Sequence, residues 1–333
     1  MRARFLPRPR RAAVVALVGC MVATGAFFVA QASGANRLPK VRPATLLADT
    51  MRALSHPISL SGQVSADWNV ARAGIRYPGL LQHASFRIWR SDQGLRVAEI
   101  LPFGEHLVVA KPSVAWLWDS QTMTARRLAS SNITTDGANF SPSITADPFA
   151  MARSVLNAVA PYSTVSVSGT ATIAGHSAYL LNLTTDQRHT HVRRIVLGVD
   201  ATTHLPLMFE FFNRPSGPPA VAIRFTSVSF HSVNPSLFSF TPPKHATVVP
   251  TPIFAGRALN NRPVARSTLT FGRGWRTVVA WKISRDLSNG AVDAFPLWNA
   301  VGSATEVTRH GKTWILGGFQ ALPRVERHVR NLP

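Results

Sequence analysis

Cysteine is nearly absent. The single one, Cys20, sits inside an apolar N-terminal run. The rest of the chain therefore has no disulfide, no thiolate metal ligand and no thiol nucleophile. Acids are scarce as well, with 15 Asp and Glu against 36 Lys and Arg. Asp67, Glu99, Glu105, Asp200 and Glu210 stand without a paired spacing, so two-carboxylate glycoside hydrolysis has no footing. No glycine-rich phosphate loop occurs, and no nucleic-acid motif accompanies the net charge of +21. Gly175-His176-Ser177-Ala178-Tyr179 opens like a nucleophile elbow. It lacks the closing glycine and lies between two strand-like runs, so it reads as a hairpin turn. His189-Thr190-His191 offers two imidazoles but no third ligand, where a catalytic zinc uses three; these read as solvated turn histidines. The expectation is a binding protein, not an enzyme, with no catalytic residue, no metal and no cofactor.

The basic excess lies at the two ends. Residues 1–43 hold eight Lys and Arg and no acid, and residues 244–333 hold thirteen against four. Arg2, Arg4, Arg8, Arg10 and Arg11 precede an uncharged, mainly apolar run from Ala12 to Ala32. That run reaches the about 20 residues a helix needs to span a bilayer core. Cations on its N-terminal side keep that end in the cytoplasm and send the remainder outward. Residues 1–32 are thus read as a signal or transmembrane anchor, with the membrane contacted through residues 12–32. Two variants stay open. Ala30-Gln31-Ala32 resembles a signal-peptidase site, which would release a secreted or periplasmic form. Leu17-Val18-Gly19-Cys20 resembles a lipobox, which would anchor the chain through a lipidated Cys20. The expected location is extracytoplasmic.

Residues 33–43 read as a linker of small, basic and proline residues. A helix follows over Ala44–Leu54, with Leu47, Met51 and Leu54 on one face. Next, Ile58, Leu60, Val64, Ala66, Trp68 and Val70 alternate with Ser59, Ser61, Gln63, Ser65, Asp67 and Asn69, the period of a half-buried antiparallel strand. Further strands are expected near 84–90, 94–101, 105–110, 113–118 and 122–128, with turns at Asp92-Gln93-Gly94 and Asp119-Ser120-Gln121. A Ser/Thr/Asn/Gly-rich loop over 129–146 leads to a second helix that Asp147 caps and Pro148 starts. Its apolar face is Phe149, Ala152, Val155, Leu156 and Val159. Five more strands are expected near 162–173, 177–184, 192–200, 205–212 and 219–230. The first should show Val165, Val167, Gly169, Ala171 and Ile173 on one side. Long strands with few helices give an α+β domain with an antiparallel, open, curved sheet whose inside is apolar. Residues 250–268 read as a linker. Residues 269–333 form a small C-terminal α+β domain, with a strand near 276–283, a helix near 291–300, a hairpin turning at His310-Gly311 and a helical tail from Leu322.

Six aromatics fall at alternating strand positions: Trp68, Phe86, Trp116, Trp118, Phe209 and Phe211. Ordinary core packing accounts for such a set. The sharper reading makes them cavity-facing candidates for ligand contact, since ligand pockets are concave and mostly apolar.

Several segments together carry a family resemblance. Ser113-Val114-Ala115-Trp116-Leu117-Trp118-Asp119 resembles the "W-x-Y-D" strand of the Lol-type carriers, and Asp147-Pro148-Phe149 the start of their central helix. Ile195 to Asp200 with Leu205-Pro206-Leu207 resembles their "l-x-v-D … l-P-l" hairpin. Leu237-Phe238-Ser239-Phe240-Thr241-Pro242-Pro243 resembles their closing "F-x-F-x-P-P" strand. The order and spacing over residues 44–249 resemble the LolA/LolB/RseB-like superfamily, and the C-terminal domain is similar to the RseB/MucB arrangement. The resemblance implies an unclosed β half-barrel with a helical lid over a hydrophobic cavity for lipid or lipoprotein acyl chains. It also implies an alternative role, a membrane-tethered sensor whose C-terminal domain engages a membrane regulator such as an anti-sigma factor.

Overall fold

The computed structural model describes residues 38–56, 58–68, 83–112, 114–129, 148–214, 216–250, 268–283 and 301–333. The expected anchor over 12–32, the loop over 130–146, the capping Asp147, the strand end at Asn69 and Val70 and the helix near 291–300 lie outside these residues. Helix α1 spans Pro43–Ser55. Six strands follow: β1 (Leu60–Trp68), β2 (His83–Ser91), β3 (Gly94–Leu101), β4 (Gly104–Lys111), β5 (Val114–Asp119) and β6 (Thr124–Ala129). Helix α2 (Pro148–Val159) leads to β7 (Thr164–Ile173), β8 (His176–Thr184), β9 (Arg194–Asp200), β10 (Pro206–Phe212) and β11 (Val221–Ser229). These positions match the sequence expectations closely, because each strand is punctuated by turn residues that end its alternation.

The strands form one sheet of two meanders, in the order β6-β5-β4-β3-β2-β1-β11-β10-β9-β8-β7. The first and last strands of the combined run, β1 and β11, zip the meanders together in the middle. A further strand, β12 (Thr247–Pro250), pairs in parallel with β6 and makes the far edge. The sequence reading missed it: a four-residue edge strand has no periodicity to show. The sheet does not close, since β12 and β7 end it on opposite sides.

One face expectation fails in β7. Val165 and Val167 pair with Leu183 and Leu181, but Ser168 has no partner and the register shifts there. Beyond it, Ala171 and Ile173 pair with Ala178 and His176, which point the other way from Leu181 along β8. A bulge of one residue reverses the pleat, so the five residues do not share a side. The β7–β8 turn itself is made by Ala174 and Gly175, both at positive φ (51° and 84°), the geometry that matches strand twist in a tight hairpin.

The β9–β10 turn is held by one carboxylate. Asp200 is 1% exposed. Its Oδ2 accepts from the Thr202 and Thr203 backbone N–H groups at 3.1 and 2.7 Å and from Thr203 Oγ1 at 2.8 Å. Asp200→Ala leaves these donors unpaired in a half-buried turn. We expect it to lower unfolding stability by about 2–3 kcal/mol, as hydrogen bonds to charged groups indicate. Chemical denaturation checks this, and a loss no larger than that of a surface substitution would refute it.

The C-terminal region has its own four-stranded sheet: β13 (Thr268–Phe271), β14 (Val278–Ile283), β16 (Lys312–Gly318) and β15 (Ser303–Arg309), in that spatial order. The β15–β16 hairpin turns at His310 and Gly311, both at positive φ. A short helix α3 (Leu322–Glu326) and a 3-10 turn end the chain. Val278, Ala280, Trp314, Leu316, Val325 and Leu332 make its small core. The large core does not stop at the first sheet, however. Trp275, Val301, Ile315 and Phe319 belong to the same buried cluster as Leu156, Val159 and Phe211. Asn36–Pro333 is accordingly one compact unit.

Candidate functional site

Antiparallel partners share a face, so register alone sorts the sheet into two surfaces. Val64 pairs with Phe86 on one side and Phe225 on the other. Ile223 pairs with Phe209, and Val221 with Phe211. Phe209 and Phe211 continue onto Leu197 and Ile195 of β9, and these onto Leu181 and Leu183 of β8. This apolar surface is the inner face, and it holds most of the large buried cluster.

Both helices lie against it. The α2 residues named from sequence, Phe149, Ala152, Val155, Leu156 and Val159, are all buried in that cluster. Phe149 stacks on Phe225 with ring centroids 6.1 Å apart, and the Arg90 guanidinium sits 4.8 Å from the Phe149 ring centre. That cation–π contact joins helix to sheet, and nothing in the linear sequence announced it. Helix α1 buries Leu46, Thr50 and Leu54, and the Tyr179 hydroxyl donates to the Pro39 carbonyl at 2.9 Å. Among the described residues, the inner face is thus covered where α1 and α2 pack on it. The cavity left between α2 and the sheet measures ≈ 30 Å³ and is lined by Val64, Phe149, Ala152, Leu207, Phe209 and Phe225 among others. Pockets for small organic ligands hold about 300 Å³ or more, so this cavity is too small for one with α2 where it lies.

The six aromatic candidates divide. Phe86, Phe209 and Phe211 sit on the inner face, with Phe211 1% exposed and the other two half-buried. The Trp68 backbone pairs with Val221, opposite Phe211 in the next strand. Trp116 and Trp118 do not face the cavity. They pair with Val109 and Leu107 and belong to a separate cluster with Ala98, Ala125 and Trp89 on the outer face. Phe240 caps them at ring distances of 5.7 and 6.0 Å. The inner-face positions of β5 are Ala115 and Leu117, which pair with Ala110 and Val108. Alternation gave β5 two candidate faces. The aromatic one was taken for the interior, but the segment carrying Phe238 and Phe240 crosses outside and buries it there. Trp116→Ala should therefore lower stability, by about 2–3 kcal/mol for a half-buried aromatic, and leave unchanged any ligand contact made on the inner face. A titration in which Trp116→Ala abolishes binding without unfolding would overturn this placement.

Charge enters in pairs that the linear spacing hid. His106 Nδ1 lies 2.9 Å from Glu99 Oε2, and His106 Nε2 lies 4.0 Å from Asp119 Oδ1, across three neighbouring strands. Burial pushes the Asp119 carboxyl up, but hydrogen bonds from Thr122 and Gln121 and the charge of His106 together hold it below its ordinary pKa. His83 Nδ1 meets Asp67 Oδ1 at 2.6 Å. On the outer face Arg224 reaches Glu210 at 3.2 Å. Burial raises the Glu210 pKa against the opposing pull of Arg224 and Arg194. His189 and His191 are exposed and lie in the turns between β8 and β9.

No family model and no curated protein matches the chain. Solved structures do. The crystal structure of MucB superposes with a TM-score of 0.50 at 18% identity, over 86% of this chain and 95% of that one. The chain has a MucB-like fold. The Pseudomonas aeruginosa MucA/MucB complex also aligns, with a TM-score of 0.45 at 14% identity over 86% of this chain and 96% of that chain. LprF from Mycobacterium bovis aligns at a TM-score of 0.34 and 11% identity, over 63% of this chain and all of its own. The expected unclosed, mostly β architecture is the one found. Among the described residues, no helix is long and apolar enough to cross a membrane.

Proposed function

We propose that this protein binds the acyl chains of a lipid or lipoprotein on the inner face of its open sheet, outside the cytoplasmic membrane and without turnover. One observation carries the reading: a continuous apolar surface of an unclosed sheet is covered by the apolar side chains of a helix. Phe149, Ala152, Val155, Leu156 and Val159 form that cover. Acyl chains offer the same chemistry as these side chains, so the two compete for one surface at small net cost. On this reading α2 is the lid, and it moves aside when an acyl chain takes its place. Residues 44–249 are the binding unit, tethered by residues 12–32 or released by cleavage near Ala32.

A second role is favoured by the C-terminal sheet, which a free carrier does not need. A MucB-like fold over 86% of this chain and 95% of MucB supports a sensor whose residues 269–333 engage a membrane regulator.

Native mass spectrometry of gently purified full-length protein should reveal a co-purified lipid, and a fluorescent fatty acid should compete with it. A protein that carries no lipid and takes up no fatty acid at any accessible concentration rules the reading out. Capture of a membrane regulator by the full chain, released on lipid loading, separates sensor from carrier.

A further inference from the structure

Three distant segments are pinned together where the two sheets meet. The Gln187 side-chain carbonyl accepts from the Trp275 backbone N–H at 2.9 Å. Thr190 forms an isolated antiparallel bridge with Gln320, whose side-chain amide donates to the Arg276 carbonyl at 2.5 Å. The His191 N–H donates to the Phe319 carbonyl at 2.7 Å. These bonds fix the β8–β9 loop, the 3-10 turn before β14 and the entry to α3 in one arrangement.

What that arrangement leaves outside is cationic. Arg188, His189, Arg276 and Arg327 are exposed, and Arg324 is half-exposed. None of the four arginines takes part in an ion pair among the described residues. Their field is strong enough to hold the His189 imidazole below its ordinary pKa. Arg324 is the largest cause, followed by burial and by Arg188, Arg276 and Arg327. Asp186 and Glu326 are the acids nearest in sequence; both are exposed, and neither is among the causes of the His189 shift.

The same place carries an exposed apolar tip. Leu322, 39% exposed, and the exposed Pro323 open α3, while the fully buried Val325 roots the helix in the small core. Leucine and proline projecting among arginines is the chemistry of a membrane interface, where apolar groups enter the headgroup boundary and guanidinium groups meet phosphates. An acidic protein surface would match the arginines but not the projecting leucine.

We infer that Arg188, Arg276, Arg324 and Arg327, with Leu322 at their edge, form a docking surface for the headgroups of an anionic phospholipid bilayer. An uncleaved anchor at residues 12–32, as proposed above, would favour the same partner. This inference shares with the proposed function only its placement outside the cytoplasmic membrane, and it does not depend on the inner face holding lipid.

The test uses Asn36–Pro333, the compact unit that contains the whole described core. It is sedimented with vesicles of phosphatidylcholine alone and with vesicles containing phosphatidylglycerol. Binding is expected only to the second kind and should weaken as salt is added. Arg324→Ala with Arg327→Ala should lower the partition constant about 30-fold, at about 1 kcal/mol per arginine. Leu322→Ala should lower it less. Arg37, Lys40 and Arg42 add the same attraction to parent and variants, so the ratio isolates the patch. Matched unfolding midpoints confirm that the variants fold. Equal binding to both vesicle types, or a doubly substituted protein that binds as the parent does, overturns the inference. So does capture by polyglutamate with no vesicle binding. Lipid co-purified on the inner face is read separately and is expected to survive these substitutions.

Discussion

Trp275→Ala should cost about 3–5 kcal/mol of unfolding stability, the range for a fully buried aromatic cut to alanine. Trp275 is 0% exposed and comes from the C-terminal region, yet it completes the core of the open sheet. Its indole N–H donates to Ser163 Oγ at 2.9 Å, and Ser163 Oγ donates onward to the Val159 carbonyl at the end of α2, at 2.7 Å. Phe319 links the indole to Phe211, with ring distances of 6.5 and 6.2 Å. The substitution thus opens a cavity and removes the donor to the Ser163 hydroxyl, which keeps its own bond to the Val159 carbonyl at the end of α2. Trp275→Phe keeps most of the ring and loses the donor, so it should cost about 1–2 kcal/mol beyond the change in volume. Gly274 offers a third probe. It sits at φ 62°, and an added Cβ would lie 2.6 Å from the Tyr162 ring, so Gly274→Ala should destabilise by backbone strain and overlap together. Urea unfolding of Asn36–Pro333 measures all three. If Trp275→Ala cost less than about 1 kcal/mol, a surface-like value, the two sheets would not share a core.

Phe149→Ala should bind acyl chains more tightly than the parent, by about 30- to 160-fold. The ring is 3% exposed and stacked on Phe225, so its loss weakens the helical cover by about 2–3 kcal/mol. When a closed form excludes the ligand, apparent affinity scales with the open fraction, and weakening the closed form raises that fraction in proportion. Stability and binding therefore move in opposite directions. Fatty-acid titration alongside thermal unfolding separates the outcomes. Tighter binding in a less stable protein supports α2 as a competing cover. Weaker binding in a still folded protein would make Phe149 part of the ligand site and end the displacement argument.

Local pattern determined most of the elements. The alternation from Leu60 to Ala66 and the apolar stripe from Phe149 to Val159 are legible because periods of 2 and 3.6 residues follow from backbone geometry. The His310-Gly311 turn is legible because few residues accept its conformation. What lay outside the sequence is everything that depends on which strand neighbours which. Trp116 and Phe86 have the same alternating signature, and only the path of Phe240 across the outer surface decides that Trp116 faces outward. One unpaired residue, Ser168, reverses the face of half a strand. His106 meets Glu99 and Asp119, and Trp275 meets Ser163, across separations that no spacing rule reaches. Chain position sets a residue's conformational preference. Its partners are set by the packing of the whole chain, where the balance of buried area is decided over all strands at once.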